Sequence, residues 1–123
     1  MKRSQSVCYL EVKEMLSNDI REALVQGLTD IFQNNVSMIV LYGSVARNEI
    51  TDESDIDVAI IVKKQINHET RQLFLRWIAD LDMQYDRVFS IIDIQEDNLE
   101  KWEHALPFYQ NIRKEGIVLW KAA

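Results

Sequence analysis

Apolar residues recur along this chain with two different periods, and the switches between them mark its elements. From Asn18 to Asn34, Ile20, Leu24, Leu28, Ile31 and Phe32 fall at helical spacing. That pattern predicts an amphipathic helix capped at Asn18 or Asp19, with Glu22 as the capping-box partner and Asn34-Asn35 as its end. Gly27 inside it costs about 1 kcal/mol against Ala, which suggests a point of close packing. Two strand-like runs follow, Ser37 to Tyr42 and Asp55 to Val62. The second is apolar on both faces, as a central strand covered by helices would be. Between them, Ser44 to about Arg47 reads as the start of a short helix and Asn48 to Ser54 as a connecting loop.

Beyond a turn at Lys63 to Ile66, Asn67 is a helix cap with Glu69 in the first turn. The predicted helix runs to Leu81 or Asp82 and buries Leu73, Phe74, Trp77, Ile78 and Leu81. Trp77 in that stripe reads as core, not as a nucleotide-stacking ring. A third strand is expected from Tyr85 to Ile94, then a helix capped at Gln95 or Asp97 and carrying Leu99 and Trp102. Pro107 separates this from a last helix, Phe108 to Glu115, with Gly116 as its C-cap residue. Ile117 to Trp120 is a closing strand or an extended tail. Residues 1 to about 16 mix both periods and fit neither.

Composition changes this picture only by exclusion. The 123 residues make one domain, 1–123, with 47% hydrophobic and 28% charged residues, the proportions of an ordinary globular protein. No apolar run approaches the ~20 residues of a membrane span, and no apolar segment follows Met1-Lys2-Arg3 as in a secretory signal. The single cysteine, Cys8, has no partner for an internal disulfide, and these features together predict the cytoplasm. A net charge of −6 counts against general affinity for nucleic acid. It suits a nucleotide–Mg²⁺ complex or a protein partner better.

The candidate chemistry lies between the first two strands. Gly43-Ser44 closes one strand, where glycine lets backbone approach an anion and backbone N–H groups with a hydroxyl can hold phosphate oxygens. Asp55 and Asp57 open the next, two residues apart and therefore on one face. Two adjacent carboxylates call for a cation between them, and oxygen ligation suits Mg²⁺ or Mn²⁺. His68 and His104 are isolated and read as surface residues, and Cys8 lacks the setting of a nucleophile.

Gly43-Ser44, ten residues and Asp55-Ile56-Asp57 together resemble the signature of the DNA polymerase beta-like nucleotidyltransferases, and the run Leu41 to Val58 is similar to the minimal nucleotidyltransferases (MNT) among them. The resemblance implies an α/β (α+β) fold, a small mixed sheet flanked by helices. It also implies two metal ions held by Asp55, Asp57 and a third carboxylate on a later strand, with ATP as the nucleotide substrate. Asp86 and Asp93 are the candidates for that third ligand. A helical crossover between strands two and three makes them parallel, which sets Asp86 near the start of strand two and Asp93 roughly 23 Å further along. Asp86 is therefore expected as the third metal ligand and as the base, or its positioner, for the acceptor hydroxyl. Gly43 and Ser44 would hold the terminal phosphates. Arg47, one turn after Ser44, either reaches a phosphate or pairs with Glu49 or Asp52. Asn48 stands where the family often has Gly, a place Asn tolerates.

One small domain leaves little surface with which to select an acceptor, so a partner protein bearing the acceptor is expected. The resemblance extends through Phe108 to Leu119 to the MNT half of HEPN–MNT toxin–antitoxin pairs. In that family the MNT protein transfers AMP from ATP to a tyrosine of the HEPN ribonuclease toxin, in a hetero-oligomer, and silences it. Two other readings remain open: an antitoxin that acts by binding alone, and a nucleotidyltransferase with a small-molecule acceptor such as an aminoglycoside.

Overall fold

The computed structural model describes residues 16–43 and 55–123. The expectations for the first fifteen residues, Cys8, Ser44, Arg47, the short helix at Ser44 and the loop Asn48 to Ser54 lie outside the described residues.

Helix α1, Asn18–Phe32, is capped by Ser17, whose hydroxyl accepts the Ile20 N–H at 3.2 Å. The cap is thus one residue earlier than expected, and Asp19 sits in the first turn, where a negative charge suits the helix dipole. Ile20, Leu24, Leu28 and Phe32 form its buried stripe. A single 3₁₀ turn, Gln33–Asn35, leads into strand β1, Val36–Tyr42. Strand β2, Ile56–Val62, is buried on both faces along most of its length, as its composition requires of a central strand.

Helix α2, His68–Tyr85, begins at Asn67, whose side chain accepts the Thr70 N–H at 2.8 Å. It runs three residues past the expected end, because Asp86 adopts a left-handed conformation (φ 51°, ψ 44°) that closes it. The Asp82 carboxylate then accepts the Phe89 N–H at 2.9 Å and aligns the incoming strand. Strand β3 is consequently Phe89–Gln95, not Tyr85 to Ile94. Phe74 and Leu81 are the buried residues of α2, whereas Leu73, expected in the stripe, is 54% exposed. Helices α3, Glu96–Trp102, and α4, Pro107–Glu115, follow, and the chain closes in strand β4, Ile117–Lys121.

The sheet order is β3-β2-β1-β4. β1 is antiparallel to both β2 and β4, while β2 and β3 are parallel, as the helical crossover between them predicts. Pleating sends alternate residues to opposite faces. Ile39, Leu41, Ile56, Val58, Ile60, Phe89 and Ile91 pack under α1 and α2. Val40, Ala59, Ile61 and Ile94 pack with Leu99 of α3 and Ile112 of α4. The architecture is therefore a four-stranded mixed sheet between two pairs of helices. At Gly27 α1 and α2 approach closely, since a Cβ there would overlap the Trp77 indole. Trp77 is partly buried and packs against this core. No described helix is long and apolar enough to cross a membrane.

Candidate active site

The site forms where β1 ends and β2 begins. Tyr42 and Asp57 face each other across the antiparallel ladder. Asp57 lies between Ile56 and Val58, both directed into the core under α1 and α2, so its own side chain projects to the α3–α4 face. It is half-buried there. Asp55 precedes the strand by one residue, shares that parity and is exposed.

Gly43 fits this arrangement in two ways. Its φ of 75° is left-handed, and a Cβ on it would overlap Asp57 Oδ2. The missing side chain leaves the carboxylate seated against the turn that leads to Ser44. The structure thus brings Gly43 and Asp57 together, from opposite ends of a motif fifteen residues long.

The aromatic rings beside the site shape its electrostatics. Tyr42 meets Phe108 edge-on, with ring centroids 5.6 Å apart, and Phe108 meets Tyr109 at 5.5 Å. Burial raises the Tyr42 hydroxyl from its ordinary 10.0 to about 12, and the Asp57 carboxylate adds to the rise. Tyr42 is therefore a neutral phenol at any physiological pH.

Asp86 does not open β3 as expected. The residue paired with Asp57 across the parallel ladder is Ser90. Asp86 is exposed at the C-cap of α2, three residues ahead of β3, because the strand begins later than the apolar run suggested. Asp93 pairs with Ile60 in the ladder and so points to the α2 face, where Arg71 Nη2 donates to its Oδ2 at 3.0 Å. Among the described residues no three carboxylate, histidine or cysteine side chains gather where they could hold one metal ion. His104 Nε2 lies 3.5 Å from Glu103 and is exposed, and no such group forms around His68 either. Ser90 escaped notice because nothing in a Phe-Ser-Ile-Ile run signals a site, and only the register reveals its neighbour.

A divalent cation fits the residues present, within a limit. Asp57 and Asp55 supply hard oxygen donors on one face, and the absence of a Cβ at Gly43 lets the Asp57 carboxylate sit directly against the backbone. That donor set suits one ion.

A glycine turn against a carboxylate at the start of a strand, on a mixed sheet between helices, is the arrangement expected of a nucleotidyltransferase. The chain belongs to the polymerase beta nucleotidyltransferase family, whose model matches residues 26–123. Two candidate protein adenylyltransferases of Methanocaldococcus jannaschii are each 27% identical to it. MJ0141 aligns over 60% of this chain and 75% of its own length, and MJ0604 over 78% and 90%. Among solved structures, a chain of a toxin–antitoxin complex crystallised with AMP-PNP superposes with a TM-score of 0.60 at 19% identity, over 83% of this chain and 73% of that one. A chain of the MntA–HepT toxin–antitoxin complex superposes with a TM-score of 0.50 at 18% identity, over 85% and 74%. These two likenesses show a shared fold.

Proposed function

We propose that this nucleotidyltransferase transfers AMP from ATP to a tyrosine hydroxyl of a HEPN-type ribonuclease toxin, with which it assembles in the cytoplasm as the antitoxin. The observation that carries the reading is the seating of Asp57 against the Gly43 backbone, the proximity that a metal ligand working beside a phosphate turn requires. The kinship with candidate protein adenylyltransferases supports a protein acceptor. So does the surface around the site: Phe108 touches Tyr42, Ile117 and Val118 lie beside Leu41 and Val40, and all three are at least 39% exposed. Apolar surface of this kind next to an active site suits a protein partner.

Asp55 and Asp57 would hold Mg²⁺, or Mn²⁺ in its place, and that ion, when bound, neutralises phosphate charge and orients the triphosphate. The Gly43 backbone, the Ser44 hydroxyl and Arg47 would hold the terminal phosphates. The acceptor oxygen forms a bond to the α-phosphorus and the bridging bond to the β-phosphate breaks. Pyrophosphate departs with the bonding pair, and the acceptor's proton passes to solvent.

The test uses ATP labelled at the α-phosphate with the co-purified toxin. Label should enter the toxin, and Asp55→Asn or Asp57→Asn should reduce transfer by about 10²-fold or more. Undiminished transfer in both variants would remove the carboxylate pair from the reaction. Protection of toxin-expressing cells by the double variant would instead show that binding alone neutralises.

A further inference from the structure

The ladder between β2 and β3 has a consequence for how many ions the site can hold. Ser90 lies beside Asp57, and its neighbours Phe89 and Ile91 both point into the α1–α2 core. Ser90 therefore projects to the same face as Asp57 and is the β3 residue best placed to share a ligand with it. Among the described residues, no acidic side chain on β3 shares that face. Asp82 accepts the Phe89 N–H, Asp93 is on the opposite face with Arg71, and Asp86 is exposed at the α2 C-cap. A hydroxyl is neutral, so it offers no charge to offset a second divalent ion held beside the first.

We infer that Ser90 occupies the position from which a third carboxylate would hold a second divalent ion, so that this chain binds one ion with its nucleotide and Ser90 sets that number. The inference rests on the proposed nucleotidyl transfer at Asp55 and Asp57. Placing a carboxylate at Ser90 should build the missing half of the site. It should also set two like charges side by side, a repulsion that a cation relieves.

The experiment is electron paramagnetic resonance of Mn²⁺ bound to the full chain with a triphosphate analogue whose α–β bridge cannot be cleaved. Wild type and Ser90→Ala should bind one isolated ion per protein. Ser90→Asp should bind two, with the line broadening of an exchange-coupled pair. Two coupled ions in wild type, or one in Ser90→Asp, would overturn the inference while leaving the nucleotidyl-transfer reading intact. No ion on the wild-type nucleotide complex would overturn both. Thermal unfolding gives a second readout. Without Mn²⁺, Ser90→Asp should melt below Ser90→Ala, and its Mn²⁺-dependent rise in Tm should be at least about twice that of wild type. Equal rises would count against the inference.

Discussion

Gly43→Ala tests the contact on which the site depends. The substitution has two separable costs. At φ 75° a Cβ strains the backbone by about 1–2 kcal/mol. That Cβ would also overlap Asp57 Oδ2, and forcing the carboxylate aside adds about 1–3 kcal/mol by analogy with overpacking. The single variant should therefore lose about 2–5 kcal/mol of stability. In an Asp57→Ala background only the backbone part remains, because the obstructing carboxylate is gone. A double-mutant cycle by urea denaturation, followed through tryptophan fluorescence, should give a coupling of about 1–3 kcal/mol between the two positions. Costs that add to within about 0.5 kcal/mol would refute the argument, since independent sites behave that way.

Other residues give separate checks. Gly27→Ala should destabilise the fold despite a gain of about 1 kcal/mol in helix propensity, because its Cβ would overlap the Trp77 indole; a higher Tm would show that the helices can part. Ser17→Ala should cost about 1 kcal/mol in chemical denaturation through loss of the α1 cap. Tyr42 releases its proton from the folded chain only near pH 12, against 10.0 when unfolded, so its stabilising contribution is intact below about pH 10 and fades as the pH climbs to 12. A Tyr42→Phe variant should lose less stability over that interval, and Asp57→Asn should lower the Tyr42 midpoint while leaving it above 10.0, because burial is the larger cause. Asp86→Asn and Asp93→Asn should each keep transfer within about threefold of wild type, a loss far smaller than that expected at Asp57.

Much of this architecture is legible in local patterns. The stripes of α1 and α2 and the doubly apolar β2 announce their partners, and the crossover rule alone makes β2 and β3 parallel. Gly43 and Asp57 are legible as a pair for a different reason: their chemistry is dense, and they lie at the facing ends of two antiparallel strands adjacent in the chain. The start of β3 shows where local reading stops. An apolar run does not say at which residue a helix yields to a strand, and here the Asp82 carboxylate and the left-handed Asp86 delay the change to Phe89. Shifting the strand start by four residues moved Asp86 out of the sheet and brought Ser90 beside Asp57. Gly116 illustrates a related limit. It ends α4 as expected, yet its φ is −69°, and the absent side chain serves instead to let the backbone pass Val40.

The central claim is that this chain, through Asp55 and Asp57, transfers AMP from ATP directly to a partner protein. Intact mass spectrometry of the toxin purified from cells that co-express it with this chain tests that claim most directly. Toxin made with the wild-type chain should gain the mass of one or more AMP groups, and toxin made with Asp57→Asn should gain none. The same modification with both chains, or none with either, would contradict it.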